Sequence, residues 1–133
     1  IIFVVWGFSL ISVIISLIVF VISKEDVWRI DCAILLNNEH IDDIGNGMLQ
    51  RDFAILYGAS DSLTLIFRKG EFVFSGDQMR CFEDELEIRD NLIESLKPEN
   101  EDIVIITSSD DKFVAEISAI NTVIGTLATH GKH

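Results

Sequence analysis

Apolar residues run without a charged interruption from Ile1 to Ser23 (IIFVVWGFSLISVIISLIVFVIS), and charges enter only from Lys24 onward. A helix of that length, at a rise of about 1.5 Å per residue, is roughly 35 Å long and crosses a hydrocarbon core of about 30 Å. A secretory signal has a shorter apolar stretch followed by a small-x-small cleavage site. Here the run ends in Val21, Ile22, Ser23 and Lys24 without one. The expectation is a retained transmembrane helix over residues 1–23. Ser9, Ser12 and Ser16 stand at i, i+3 and i+7 and share one helical stripe. Ser12 and Ser16 also form a small-xxx-small pair, which lets two membrane helices approach closely. That stripe is the expected packing interface with other membrane subunits.

After Lys24 the pattern changes. Val27–Leu36 (VWRIDCAILL) alternates weakly and predicts a strand, whereas residues 37–47 are polar and turn-rich, with Gly45 and Gly47 close together. Residues 48–58 (MLQRDFAILYG) hold an apolar cluster that periodicity assigns neither to a helix nor to a strand. The whole of 24–61 therefore reads as a juxtamembrane segment of open structure. Ser62–Arg68 (SLTLIFR) and Glu71–Ser75 (EFVFS) flank Lys69-Gly70, the spacing of a two-residue hairpin turn. In that register Arg68 faces Glu71, Phe67 faces Phe72, Ile66 faces Val73 and Leu65 faces Phe74. Leu65, Phe67, Phe72 and Phe74 then share one pleat face, and four bulky side chains on one face call for burial.

Glu83–Lys97 (EDELEIRDNLIESLK) predicts a helix stopped by Pro98, with its carboxylates in the first turn, where the helix dipole favours them. Ile103–Ile106 (IVII) is apolar on both faces, the mark of a central strand covered twice. Ser108, Ser109, Asp110 and Asp111 then offer caps for a helix from Lys112 to Thr129. In it Phe113, Ile117, Ile120, Ile124 and Leu127 follow i, i+4, i+7, i+11 and i+14, the spacing of a buried stripe. The fold class expected is α+β: one N-terminal transmembrane helix, then over 62–133 a small ββαβα domain, a mixed sheet covered on one face by two helices. A strand–helix pattern of this kind normally continues into another strand. The expectation is that a twin subunit or a strand-completing partner fills the sheet edge at the C-terminal end.

Composition sharpens this only in part. The 133 residues carry 10 Lys+Arg against 22 Asp+Glu, a net charge of −12, with a mean hydropathy of +0.38. Nucleic acid is excluded as a partner, because binding it requires a basic footprint. No catalytic constellation, phosphate loop, dinucleotide fingerprint or calcium loop occurs. His130 and His133 are separated by Gly131 and lack nearby ligands, and Cys32 and Cys81 form no C-x-x-C pair. Asp42-Asp43 and Asp110-Asp111 suit turns and caps. No catalytic residue, metal or cofactor is expected, and the protein reads as one that acts by association.

The segments LTLIFRKGEFVFSGDQ, RDNLIESL, EDIVIITSSDD and FVAEISAINTVIGTLATHG resemble in order and pattern the ExbD/TolR family of biopolymer transport proteins. The resemblance implies one membrane helix and a small extracytoplasmic domain serving a proton-motive-force-driven motor. Members of that family carry an Asp near the start of the membrane helix, whereas here Ser9 is the nearest polar residue. The resemblance therefore implies a structural subunit that does not itself relay protons. Two other readings fit the same pattern: an assembly-platform protein of a secretion or pilus machine, and an accessory subunit of a large bacterial or organellar membrane complex.

Overall fold

The computed structural model describes the backbone over residues 3–10, 13–24 and 27–129, and side chains from Ile30 to Thr129. Among the described residues, six strands and three α-helices follow in chain order: β1 (Phe3–Leu10), β2 (Val13–Lys24), β3 (Val27–Leu36), α1 (Met48–Leu56), β4 (Asp61–Arg68), β5 (Glu71–Phe74), α2 (Leu86–Leu96), β6 (Ile103–Ser109) and α3 (Lys112–Ala128). A 3-10 turn over Asn38–Asp43 joins β3 toward α1. The strands form one sheet in the order β1-β2-β3-β6-β4-β5, and every pair is antiparallel.

Two expectations are corrected at the N-terminal end. Residues 3–10 and 13–24 are not a membrane helix but two strands, paired with each other and, through β2, with β3. Among the described residues no helix is long and apolar enough to cross a membrane. The single-pass placement, the extracytoplasmic location and the membrane-transport role attached to that helix fall with it. The physical reason lies in residue type: 12 of the first 23 residues are Ile or Val. β-branched side chains lose rotamer freedom in a helix and fit the pleated surface of a sheet. An apolar run also reads alike as a buried strand or a buried helix, since periodicity carries no signal when every position is apolar.

Segment 24–61 supplies β3, the 3-10 turn and α1 to the same body. The sheet is antiparallel rather than mixed because β6 inserts between β3 and β4, which would otherwise run parallel as neighbours. The helices also do not share one face. Ile34, Leu36, Ile66, Val73, Ile103 and Ile105 form a core with Ala115, Ala119 and Val123 of α3, while α1 lies against α3 and β4. Leu35, Leu65, Phe72, Val104 and Ile106 form a second core with Leu92 and Leu96 of α2. Since alternate residues of β6 are apolar on both sides, each face needs its own cover.

The β4–β5 ladder pairs Leu65 with Phe74, Ile66 with Val73, Phe67 with Phe72 and Arg68 with Glu71. The turn between them places both Lys69 (φ 53°) and Gly70 (φ 78°) in the left-handed region, as a type I′ turn requires. Leu65 and Phe72 are fully buried, Phe67 and Phe74 are half-buried, and the Phe72 ring lies 5.1 Å from that of Phe67 and 6.0 Å, edge-on, from that of Phe82. Glu71 does not hold Arg68. Arg68 instead donates through Nε and Nη2 to the two carboxylate oxygens of Glu101, at 2.8 Å each, and Glu71 accepts from Arg89.

On α3 the buried stripe is not the one that its large residues suggest. Ala115, Ser118, Ala119, Thr122, Val123 and Thr126 face inward. Phe113 is 69% exposed and Ile124 56% exposed, while Ile117 and Ile120 are only partly covered. Small residues win the inward face because α3 lies against both the sheet and α1, and close approach of two elements excludes large side chains. At Gly125 a Cβ would come within 2.7 Å of the Phe53 ring. The hydroxyls of Ser118, Thr122 and Thr126 donate to carbonyls one turn back, so none is left unsatisfied on burial.

Three outcomes are expected in urea or thermal denaturation. Phe72→Ala should cost about 3–5 kcal/mol, whereas Phe113→Ala should stay within about 0.5 kcal/mol. Equal losses would contradict the burial assigned here. The hydrogen bonds from Arg68 hold the Glu101 carboxyl below its ordinary range. Its folded pKa is thus lower than its unfolded one, so its contribution is present at neutral pH and lost as pH falls through the folded pKa. Glu101→Gln should therefore flatten the acid limb of stability against pH, and an unchanged limb would remove the pair from the account.

Candidate functional site

One cavity, of about 220 Å³, opens where α1 begins, against β4 and the turn after β5. Its lining follows from the sheet register. Ser62 and Thr64 alternate with Leu63 and Leu65 and fall on the face that carries Ile66, beneath α1. Ser75 N donates to Thr64 O at 3.0 Å, which fixes Ser75 beside Thr64 just past the end of β5. Gly47, the N-cap of α1, has φ 87°, and a Cβ there would meet Ser75 Oγ at 2.7 Å and Thr64 Cβ at 3.2 Å. Only glycine allows the helix to start this close to the two hydroxyl-bearing segments. A second glycine, Gly76, passes near Asn46, whose carbonyl oxygen a Cβ would meet at 3.2 Å.

Asn46 Oδ1 accepts from Met48 N at 3.1 Å, but the N-cap itself offers no side chain, so the first turn of α1 is left without the usual cap. Ser62 and Thr64 are 7% and 6% exposed, and among the described residues neither hydroxyl has a hydrogen-bond partner. A buried hydroxyl without a partner costs about 1–3 kcal/mol, and both oxygens are closed off from solvent behind the wall of the cavity. Arg51, one turn into α1, reaches Asp61 through Nε at 3.1 Å. Asp77 lies on the exposed turn, with Oδ1 accepting from Met79 N.

Other chemically capable groups are accounted for elsewhere. Buried Asp102 accepts from Asn38 N and Glu99 N and ties two loops together. Buried Asp31 accepts from Ser108 Oγ, and Asp43 lies 3.3 Å from His40 Nδ1. Asp111 caps α3 by accepting from Val114 N. Cys32 belongs to the core beneath α3 and Cys81 to the core beneath α2, on opposite faces of the sheet, and both thiols are free. Burial pushes the Cys81 thiol up to about 11 and raises that of Cys32 further. Neither is a thiolate at neutral pH. Among the described residues no group of three His, Cys, Asp or Glu could hold a metal.

Of the residues singled out in the sequence, the structure gathers Leu65, Phe67, Phe72 and Phe74 into one core and leaves Phe113 and Ile124 on the surface. Ser9 and Ser16 stand on β1 and β2, opposite Ile14 and Gly7, where a helical spacing brings nothing together. Ser12, His130 and His133 lie outside the described residues. The residues of the cavity carry a faint sequence signal: Gly45-Asn46-Gly47 and Ser75-Gly76-Asp77 are two similar turns, one just before a helix.

The sequence profile of a family described as "Domain of unknown function (DUF4443)" matches residues 28–127. The chain belongs to the DUF4443 family. That match covers β3 through α3 and so includes every residue of the cavity. Among solved structures, the hypothetical protein PH0730 from Pyrococcus horikoshii OT3 is similar, with a TM-score of 0.60 and 24% identity over 84% of this chain and 56% of that one. At that identity the likeness shows the fold of the DUF4443 domain alone, and the chain spans about half the length of that structure. No curated protein matches. The strand and helix order behind the ExbD/TolR resemblance is present, and neither match links the DUF4443 domain to that family.

The placement of the thiols gives a direct check. In the folded chain at pH 8 both should resist alkylation, and on unfolding both should react together. Rapid native-state alkylation of Cys81 would place it outside the core beneath α2.

Proposed function

We propose that the DUF4443 domain is a binding module and not an enzyme, and that a small polar ligand seats in the cavity between the start of α1, β4 and the turn after β5. The observation that carries this reading is the cavity itself, which sets the polar side chains of Asn46, Arg51, Ser75 and Asp77 beside the apolar ones of Met48, Leu63 and Phe74. The cavity is smaller than the roughly 300–1,000 Å³ that holds a drug-sized molecule, yet much larger than the roughly 30 Å³ share of a single water. A metabolite fragment fits that interval. The high thiol pKa of Cys81 and the structural use of Asp31, Asp43 and Asp102 support a non-catalytic role.

A ligand that binds only the folded state stabilises it by about 2.7 kcal/mol at a hundredfold excess over Kd. Screening the full chain against small polar metabolites by thermal shift, with hits mapped by amide NMR, should therefore raise Tm and perturb residues 46–51, 62–64 and 74–77. Hits that map only to other surfaces, or no hit across the panel, would contradict the proposal.

A further inference from the structure

We infer that the outer face of α1 and α3 is a homodimer interface, and that its occupant is a second copy of this chain. Two apolar stripes make the face. Leu49, Phe53 and Leu56 fall at i, i+4 and i+7 on α1, and Phe113, Ile117 and Ile124 at i, i+4 and i+11 on α3. At Gly125 a Cβ would meet the Phe53 ring, and at Gly58, just past α1, one would meet Val114 Cγ1 at 3.2 Å. The helices therefore run antiparallel and in contact at both ends, so the two stripes border one another. Leu56 is 74% exposed, and Leu49, Phe113 and Ile124 are exposed as well. Contiguous apolar surface left in water marks an interaction site. The apolar period of α3, which predicts burial, is met against another molecule and not against the sheet.

Charge selects the occupant. α1 carries Arg51 and Asp52, and α3 carries Lys112 and Glu116, so the two helices add nothing to the net charge of −12. On the opposite face of the sheet, residues 83–96 carry six acidic residues against Arg89. A partner recruited by charge is basic and goes to that side. Two identical acidic chains approach only where the local charge cancels, because screening beyond about 8 Å at physiological salt leaves the local balance to decide. The stripe on α3 is also self-complementary. With two copies of α3 antiparallel about an axis between Ile117 and Ile120, Phe113 of each copy faces Ile124 of the other, the reciprocal contact of a two-fold interface. Pairing through the outer edge of β5 is blocked, because Phe74 N donates to Met79 O and Cys81 N to Phe72 O along it. Arg51, which lines the cavity, stands on the other flank of α1, so the interface is independent of the ligand reading.

The test is sedimentation of the full chain from about 1 to about 300 µM, the range over which a small interface shows its dissociation constant. A reversible monomer–dimer equilibrium is expected. Leu56→Glu and Ile124→Glu, exposed positions on different helices, should each raise the dissociation constant about tenfold or more, since each leaves a carboxylate unpaired in the interface. Far-UV circular dichroism should be unchanged in both, and if one does not fold the other decides. Met79→Glu adds the same charge at an exposed position outside the face and should leave the constant within about twofold. A chain that stays monomeric throughout would overturn the inference. So would an assembly that Leu56→Glu and Ile124→Glu leave intact, or one that Met79→Glu weakens equally.

Discussion

The sheet depends on where one strand goes. Ile103–Ser109 leaves the face covered by Leu86–Leu96 and inserts between two strands that would otherwise be parallel neighbours, pairing with both along its length. Ile103, Val104, Ile105 and Ile106 are all buried, alternately on one face and the other. The helices Leu86–Leu96 and Lys112–Ala128 are each held to the sheet by a core that this strand shares. Burying both faces contributes about 25 cal/mol per Å² of apolar surface removed from water, and an antiparallel partner on each side satisfies its backbone groups. Without it the two cores would be separate, and neither is large.

The same insertion creates the candidate site. By pairing Ser62 with Thr107 and Thr64 with Ile105, the central strand fixes the register of its neighbour, so that both hydroxyls point to the face where the helix Met48–Leu56 begins. The turn after Phe74 then brings Ser75 beside Thr64, and Gly47 lets the helix end approach. None of these residues is unusual alone. Their arrangement arises from a register set by the adjacent strand.

Much of the fold was legible because its signals were local. The hairpin register followed from a two-residue turn with Gly at its second position, and the double coverage of Ile103–Ile106 from four consecutive apolar residues. One helix ended close to where Pro98 stops it, and the last began where Asp111 caps it. Three features were not legible, each for a physical reason. An uncharged run rich in Ile and Val specifies burial without specifying period, and it formed strands. On the last helix the largest apolar residues marked an outer flank, because a helix wedged between a sheet and another helix selects for small residues inward. The cavity could not be seen because Ser62 and Thr64 read as the polar half of an alternating strand, and nothing local told that their face would be covered.

Residue-resolved amide hydrogen exchange on the full chain tests the central placement most directly. If Ile103–Ser109 lies between two partners with both faces covered, its amides open only with the whole domain. Those of residues 104–107 should then be the slowest to exchange in the chain, with opening free energies equal to the global stability. Exchange of these amides as fast as that of the short edge strand Glu71–Phe74 would contradict the account.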